Sequence, residues 1–193
     1  MKDNTFYISI DIEADGPIPG KYSMLSLGAV AYDSSGIEKD SFCVNIKPLE
    51  GAQQDKGTMK WWEGQPEAWK AVQIDRKDPK VAMESFASFT SRFIRPVAVC
   101  YPAGFDWTFV YWYLTYFDVP HELGFSCYDI KSMAAAALNC PFKLATKSRF
   151  PKSWHVDQEH THIALDDARE QGQLFFKIKE YLDTNVTQNQ NKV

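Results

Sequence analysis

A strand-forming run, Phe6-Tyr7-Ile8-Ser9-Ile10, leads straight into Asp11-Ile12-Glu13. Side chains alternate faces along a strand, so Asp11 and Glu13 point the same way, side by side. Two carboxylates held that close repel each other, and a cation between them removes the repulsion. Hard oxygen donors suit Mg²⁺ or Mn²⁺. The pair therefore reads as the start of a divalent-metal site in an enzyme, set against the plainer reading of a polar strand end. An EF-hand loop fits less well. Asp11, Glu13, Asp15 and Gly16 match its first, third, fifth and sixth positions, but Tyr22 stands at the twelfth, where a bidentate Glu is needed.

Two further segments bring acids to the ends of elements. Asp106 follows the apolar run Val97-Ala98-Val99-Cys100-Tyr101, at the carboxyl edge of a sheet where α/β sites are built. It also reads as a helix cap. Asp167 comes five residues after His162 in His162-Ile163-Ala164-Leu165-Asp166-Asp167. On a helix it flanks the Ala164/Ala168 face, while Asp166 turns toward solvent. Adjacent acids on a first helical turn also suit the helix dipole, and a lone histidine before a helix is commonly a surface or capping residue.

Jointly, these segments resemble the DEDDh group of DnaQ-like 3′–5′ exonucleases, within the ribonuclease H-like superfamily. The first motif matches Asp11-Ile12-Glu13 and the apolar strand Met24 to Val30; the second matches Ala103-Gly104-Phe105-Asp106; the third matches His162 to Asp167. His-Ile-Ala-Leu-Asp-Asp-Ala-Arg-Glu is close to the form in oligoribonuclease-like and RNase T-like members, and the resemblance runs from about residue 5 to 182. It implies two Mg²⁺ or Mn²⁺ ions per site. Asp11, Glu13 and Asp167 would hold one ion, Asp11 would bridge to the second, and Asp106 would help through water. His162 would take the proton from the attacking water. The implied activity is hydrolysis of single-stranded RNA or DNA from the 3′ end to nucleoside 5′-monophosphates. One departure is clear: Tyr101-Pro102 stands where many members carry His-Asn, and proline lacks the N–H that could serve the substrate side.

For substrate contacts the candidates are Met24, Lys147 and Arg149. Met24 precedes the second strand and could press on a terminal base, or else fill the core. Lys143, Lys147, Arg149 and Lys152 alternate with Phe142, Phe150 and Trp154, as in a single-strand path, and a solvated basic loop is the other reading. With few obvious core partners, the stretch from Phe142 to Trp154 is expected to be mobile.

The elements that must position these residues follow from pattern. Strands are expected over 5–12, 24–32 and 41–46 with a turn at Asp33-Ser34-Ser35-Gly36, forming an antiparallel meander. Two short helices follow within 58–72 and one over 79–93, then a buried strand at 97–101 and a helix from Trp107 to Phe117 capped by Asp106. A short strand at 126–130, a helix around 133–138 and a final helix over 163–182 complete the chain. This is an α/β class: a ribonuclease H-like mixed five-stranded sheet, antiparallel meander plus parallel strands, flanked by helices. One exonuclease-type domain over residues 1–183 with a flexible tail at 184–193 is expected.

Hydrophobic content of 45% and aromatic content of 15% exclude a disordered chain. A net charge of −4 argues against a broad DNA-coating surface, though clustered metal-binding acids inflate the negative count. No apolar run approaches the roughly 18 residues of a membrane span, and no signal-peptide core follows Met1. Cys43, Cys100, Cys127 and Cys140 form no C-x-x-C, which fits a reducing, cytoplasmic setting. The expected partners are single-stranded RNA or DNA 3′ ends and no membrane, with a homodimer allowed for. Two alternatives stand beside the exonuclease: a scavenger of short oligoribonucleotides, and a catalytically inactive nucleic-acid-binding module on the same fold. The module would have lost an acid or the histidine, and this chain has lost none. Zinc held by His155, His160 and His162 fits poorly, because no cysteine lies nearby.

Overall fold

A computed structural model describes residues 4–156 and 161–190. Strand β1 (Phe6–Ala14) is the centre of a five-stranded sheet. On one side β2 (Met24–Tyr32) and β3 (Glu38–Asn45) pair antiparallel as the expected meander. On the other side β4 (Pro96–Cys100) and β5 (Cys127–Asp129) add in parallel, giving the order β3-β2-β1-β4-β5. Helices α1 (Lys56–Trp62), α2 (Pro66–Ala71) and α3 (Pro79–Thr90) lie between β3 and β4 in sequence. Then come α4 (Asp106–Tyr116), α5 (Ile130–Ala137), three short 3₁₀ turns and α6 (Ala164–Gln190).

The pleat of β1 sorts its residues between two layers. Ile8, Ile10, Ile12 and Ala14 join Met83 and Phe86 of α3 and Phe109, Val110 and Tyr113 of α4 in the larger core. Tyr7 turns to the opposite face, against Phe175 and Ile178 of α6 and Ala134 of α5. A strand covered by helices on both faces must be apolar nearly throughout. The polar exceptions on β1, Ser9, Asp11 and Glu13, all share the α6 face.

Several boundaries differ from the sequence expectation, among them those of α4, α5 and α6. Helix α4 starts at Asp106, and Phe105 rather than Asp106 holds the cap position, with no side-chain capping bond. Helix α5 starts earlier, at Ile130, because the Asp129 carboxylate accepts the Ser132 N–H at 2.6 Å and caps it. Helix α6 runs on to Gln190 beyond the expected end near Leu182; no glycine or proline in that stretch stops it. Among the described residues no helix is long and apolar enough to cross a membrane.

Candidate active site

The site forms where β1 outruns its parallel neighbour. β4 pairs with β1 only from Phe6↔Pro96 to Ser9↔Val99, so the last residues of β1 project past the end of β4. An amide left without a strand partner must find another acceptor. The Ile12 N–H donates to Asp106 Oδ1 at 3.4 Å, which pulls the first residue of α4 against β1. Asp106 is therefore not the helix cap that the sequence allowed. Its side chain crosses to the sheet, its other oxygen, Oδ2, is buried, and among the described residues that oxygen has no hydrogen-bond partner. The turn before it is tied down by Asp129, whose Oδ2 accepts the Ala103 N–H at 2.8 Å.

The opposite wall is the start of α6. Gly28 of β2 lies directly across from Asp11, and a Cβ there would sit 2.3 Å from the backbone carbonyl of Ala164. Only glycine lets the helix come down that close. Gly172 does the same one level further on, where a Cβ would lie 2.4 Å from the Tyr32 ring and 3.0 Å from Ser9. With α6 so seated, Asp167 is buried on its first turn and accepts the Thr161 N–H at 3.3 Å. Gln171 follows one turn later. Its amide nitrogen donates to the Ile10 carbonyl at 3.0 Å and to Asp11 Oδ1 at 3.2 Å, fixing that carboxylate.

His162 is half-buried just before α6, in the left-handed backbone region at φ 55°. Its ring packs edge-on against Trp61, with centroids 4.8 Å apart and planes at 88°. One donor atom each from Glu13, His162 and Asp167 lie within 4.8 Å of one another. His160, its neighbour in the sequence, lies outside the described residues.

Asp11, Glu13, Asp106, His162 and Asp167 all line one cleft of about 450 Å³, together with Ile12, Tyr101, Pro102, Phe105, Lys147 and Gln171. Crowding and burial act together on its acids. Burial, then the Asp106 and Asp167 charges, push the Asp11 carboxyl well above the ordinary range. Glu13 is pushed up to about 9, by burial first and then by Asp11 and Asp167. Burial also raises Asp106, against the opposing Ile12 N–H and with Glu13 adding to the rise. Lys147 is the one cation among these lining residues. It pairs with Glu170, stands 5.3 Å from the centre of the Tyr101 ring, and its charge offsets part of the rise on Asp11.

Convergent carboxylates that resist ionising together are what a divalent cation relieves, and the buried Asp106 Oδ2, without a hydrogen-bond partner among the described residues, is an acceptor such an ion could use. The donor set fits such ions. Asp11, Glu13, Asp106 and Asp167 are the residues that could hold them.

The substrate candidates fare differently. Met24 is fully buried in the larger core, and its own N–H donates to the Tyr113 hydroxyl at 2.7 Å. It cannot press on a base from there; the β-bulge between Glu13 and Ala14 turns its side chain inward. Lys147 does border the cleft, whereas Arg149 is exposed and outside the residues lining it. The stretch from Phe142 to Trp154 is not short of core partners: Ala145, Phe150 and Trp154 are buried against α5 and α6. Its spacing follows 3₁₀ turns, which no helical or strand period reveals. Phe142 alone of its three aromatics is exposed, beneath Lys131. Gln171 and Trp61 escaped the sequence reading. Gln171 had one signal, a polar residue four positions beyond Asp167 on an otherwise apolar helix face.

The sequence and the fold both have known relatives. Residues 6–178 match the family described as the 3′–5′ exoribonuclease Rv2179c-like domain. The chain is 31% identical over 183 residues to the 3′–5′ DNA exonuclease Cap18 of Escherichia coli, covering 90% of this chain and 91% of that protein. Among solved structures, Pop2p of S. pombe in its Mg²⁺- and Mn²⁺-bound form superposes with a TM-score of 0.69 at 14% identity, over 90% of this chain and 82% of that one. E. coli exonuclease I in complex with a dT13 oligonucleotide gives 0.65 at 13% identity, over 90% of this chain and 40% of that longer one.

Proposed function

The chain belongs to the Rv2179c-like 3′–5′ exoribonuclease domain family, and from that premise we propose that its acidic cleft removes nucleotides from the 3′ ends of single-stranded RNA or DNA, leaving nucleoside 5′-monophosphates. The chain is a 3′–5′ exonuclease; which nucleic acid it prefers, and which residue does what, belong to the proposal. The observation that carries it is the convergence of four carboxylates from β1, α4 and α6 on one cleft beside a histidine.

Two divalent ions, Mg²⁺ or Mn²⁺, would supply charge neutralisation for the scissile phosphate and the departing 3′-oxygen. Asp11, Glu13 and Asp167 would hold the first, and Asp11 with Asp106 the second. The Mg²⁺- and Mn²⁺-bound form of Pop2p supports the choice of ion, and the unpartnered Asp106 Oδ2 supports that residue's part in holding it. Gln171 orients Asp11 by donating to Oδ1, and Trp61 packs edge-on against the His162 ring. His162 takes the proton of the attacking water, a task suited to a side chain that titrates near neutrality. Lys147 meets the phosphate backbone as a point charge. The exonuclease I complex with dT13 supports a single-stranded partner. The cytoplasmic setting is part of the proposal, carried by the spacing of the cysteines.

The test uses RNA and DNA oligomers of several lengths, labelled at either end, with EDTA or with Mg²⁺ or Mn²⁺. The expected result is a ladder shortened from the 3′ end that vanishes in chelator. Full activity in EDTA would end the metal reading, and early loss of a 5′ label would end the polarity. Activity confined to oligomers of a few nucleotides would favour the scavenger.

A further inference from the structure

We propose that Glu13, His162 and Asp167 also form a second, mutually exclusive cation site that takes Zn²⁺ and thereby holds the enzyme inactive. This rests on the exonuclease reading above, in which the same histidine must stay unligated to accept a proton.

The donor atoms of these three residues lie within 4.8 Å of one another. Around a zinc ion bonded at about 2.0–2.2 Å, tetrahedral donors stand roughly 3.4 Å apart. Zinc binding would have to draw these donors together by at most about 1.4 Å. The set is one imidazole and two carboxylates, with the fourth position facing the cleft. Three protein ligands and an open position are the usual form of a zinc site exposed to solvent or substrate. Mg²⁺ prefers oxygen ligands and its own waters, so it gains little from the imidazole. Zn²⁺ accepts imidazole readily and stands above Mn²⁺ in the general order of affinity. The backbone at φ 55° and the edge contact with Trp61 hold the ring where it can serve.

An imidazole nitrogen has one lone pair. It can take a proton from water or bind an ion, and it cannot do both. Occupation by Zn²⁺ would therefore remove the proton acceptor and draw Glu13 and Asp167 away from the Mg²⁺ arrangement. Sequence spacing had suggested a zinc site only through His155, His160 and His162. His155 is engaged elsewhere, its Nε2 lying 3.1 Å from the Phe150 carbonyl, and the partners the fold supplies to His162 are carboxylates instead.

The experiment titrates the metal-free full chain, without nucleic acid, with Zn²⁺ or Mn²⁺ in competition with a chromophoric chelator. Wild type is compared with His162→Ala and His162→Gln. We expect both variants to bind Zn²⁺ at least about tenfold more weakly, while Mn²⁺ affinity changes by less than about threefold. In wild type, the His162 imidazole NMR signals, assigned by their absence from the variants, should shift with Zn²⁺ and stay in place with Mg²⁺. In the Mg²⁺-loaded enzyme, added Zn²⁺ should suppress turnover, and a zinc-selective chelator should restore it. Equal Zn²⁺ affinity in wild type and both variants, or His162 signals that ignore Zn²⁺, would overturn the proposal. The two readings fail separately. A wild type that binds neither Mn²⁺ nor Mg²⁺ would sink the metal-dependent reading of the cleft, whereas normal Mn²⁺ binding with His162-independent Zn²⁺ binding would sink this one alone.

Discussion

Asp106 gives one carboxylate oxygen to the Ile12 amide and keeps the other buried without a partner among the described residues. Asp106→Asn keeps the volume and one acceptor while removing a buried charge from a crowd of like charges. Turnover should fall below detection, and the melting temperature without metal should be equal or higher; a large drop would assign the residue to structure instead. Glu13 makes the linked argument in pH. Its folded-state value of about 9 lies above its ordinary 4.5, so the folded chain binds that proton more tightly than the unfolded chain does. The stability it contributes is complete below its ordinary value and is lost as pH rises through about 9. Asp11 and Asp106 shift in the same direction. The metal-free melting temperature should therefore decline between about pH 5 and pH 9, and saturating Mg²⁺ should remove most of the decline. A flat metal-free profile would mean that these acids are well solvated. His162→Ala should lower kcat by on the order of 10²–10⁴, with His160→Ala within a few-fold of wild type. If the two variants lose activity alike, the proton acceptor must be reassigned.

At the scale of elements, the site depends on how closely α6 approaches the sheet. The contact is made at Gly28, where an added Cβ would strike the Ala164 backbone at 2.3 Å. A helix backbone cannot step aside as a flexible side chain can, so Gly28→Ala must lift the start of α6 or bend β2. Overpacking of this kind costs about 1–3 kcal/mol. Because Asp167 sits on that end of the helix and His162 immediately precedes it, metal affinity and turnover should fall together with stability. A Gly28→Ala protein with normal activity would show that the helix start is not what seats Asp167. On the other wall, Asp129 at the end of β5 caps α5 with one oxygen and holds the turn before Asp106 with the other, so an edge strand of the sheet positions a residue of the cleft.

For the whole molecule, a net charge of −4 and a single lysine among the lining residues imply few phosphate contacts. With about one such contact, a fourfold rise in salt should raise KM for a single strand by roughly two- to threefold. A much steeper dependence, measured with the same oligomer in rising NaCl, would point to a basic track beyond the cleft. The topology explains why the cleft sits where it does. A central strand flanked by an antiparallel meander and a shorter parallel strand leaves one end of β1 open on a single edge. The starts of α4 and α6 both meet it there.

The sequence by itself determined the class of fold and the kind of enzyme. Alternation on a strand places Asp11 and Glu13 on one face, and helical spacing separates Asp167 from Asp166, because both rest on local geometry that two or three neighbouring residues dictate. The order of the three motifs then carried the family resemblance. Only the tertiary structure decided the rest. Asp106 turns from a helix cap into a partner of β1 because Ile12 has outrun β4. Met24 goes inward because a bulge rotates it, and Phe150 and Trp154 bury themselves through 3₁₀ turns without a period to read. Gln171 reaches Asp11 across 160 positions of chain, and His162 meets Glu13 across the cleft. These are contacts between distant segments, and no local spacing encodes them; they exist because packing the helices on the sheet brings those segments together.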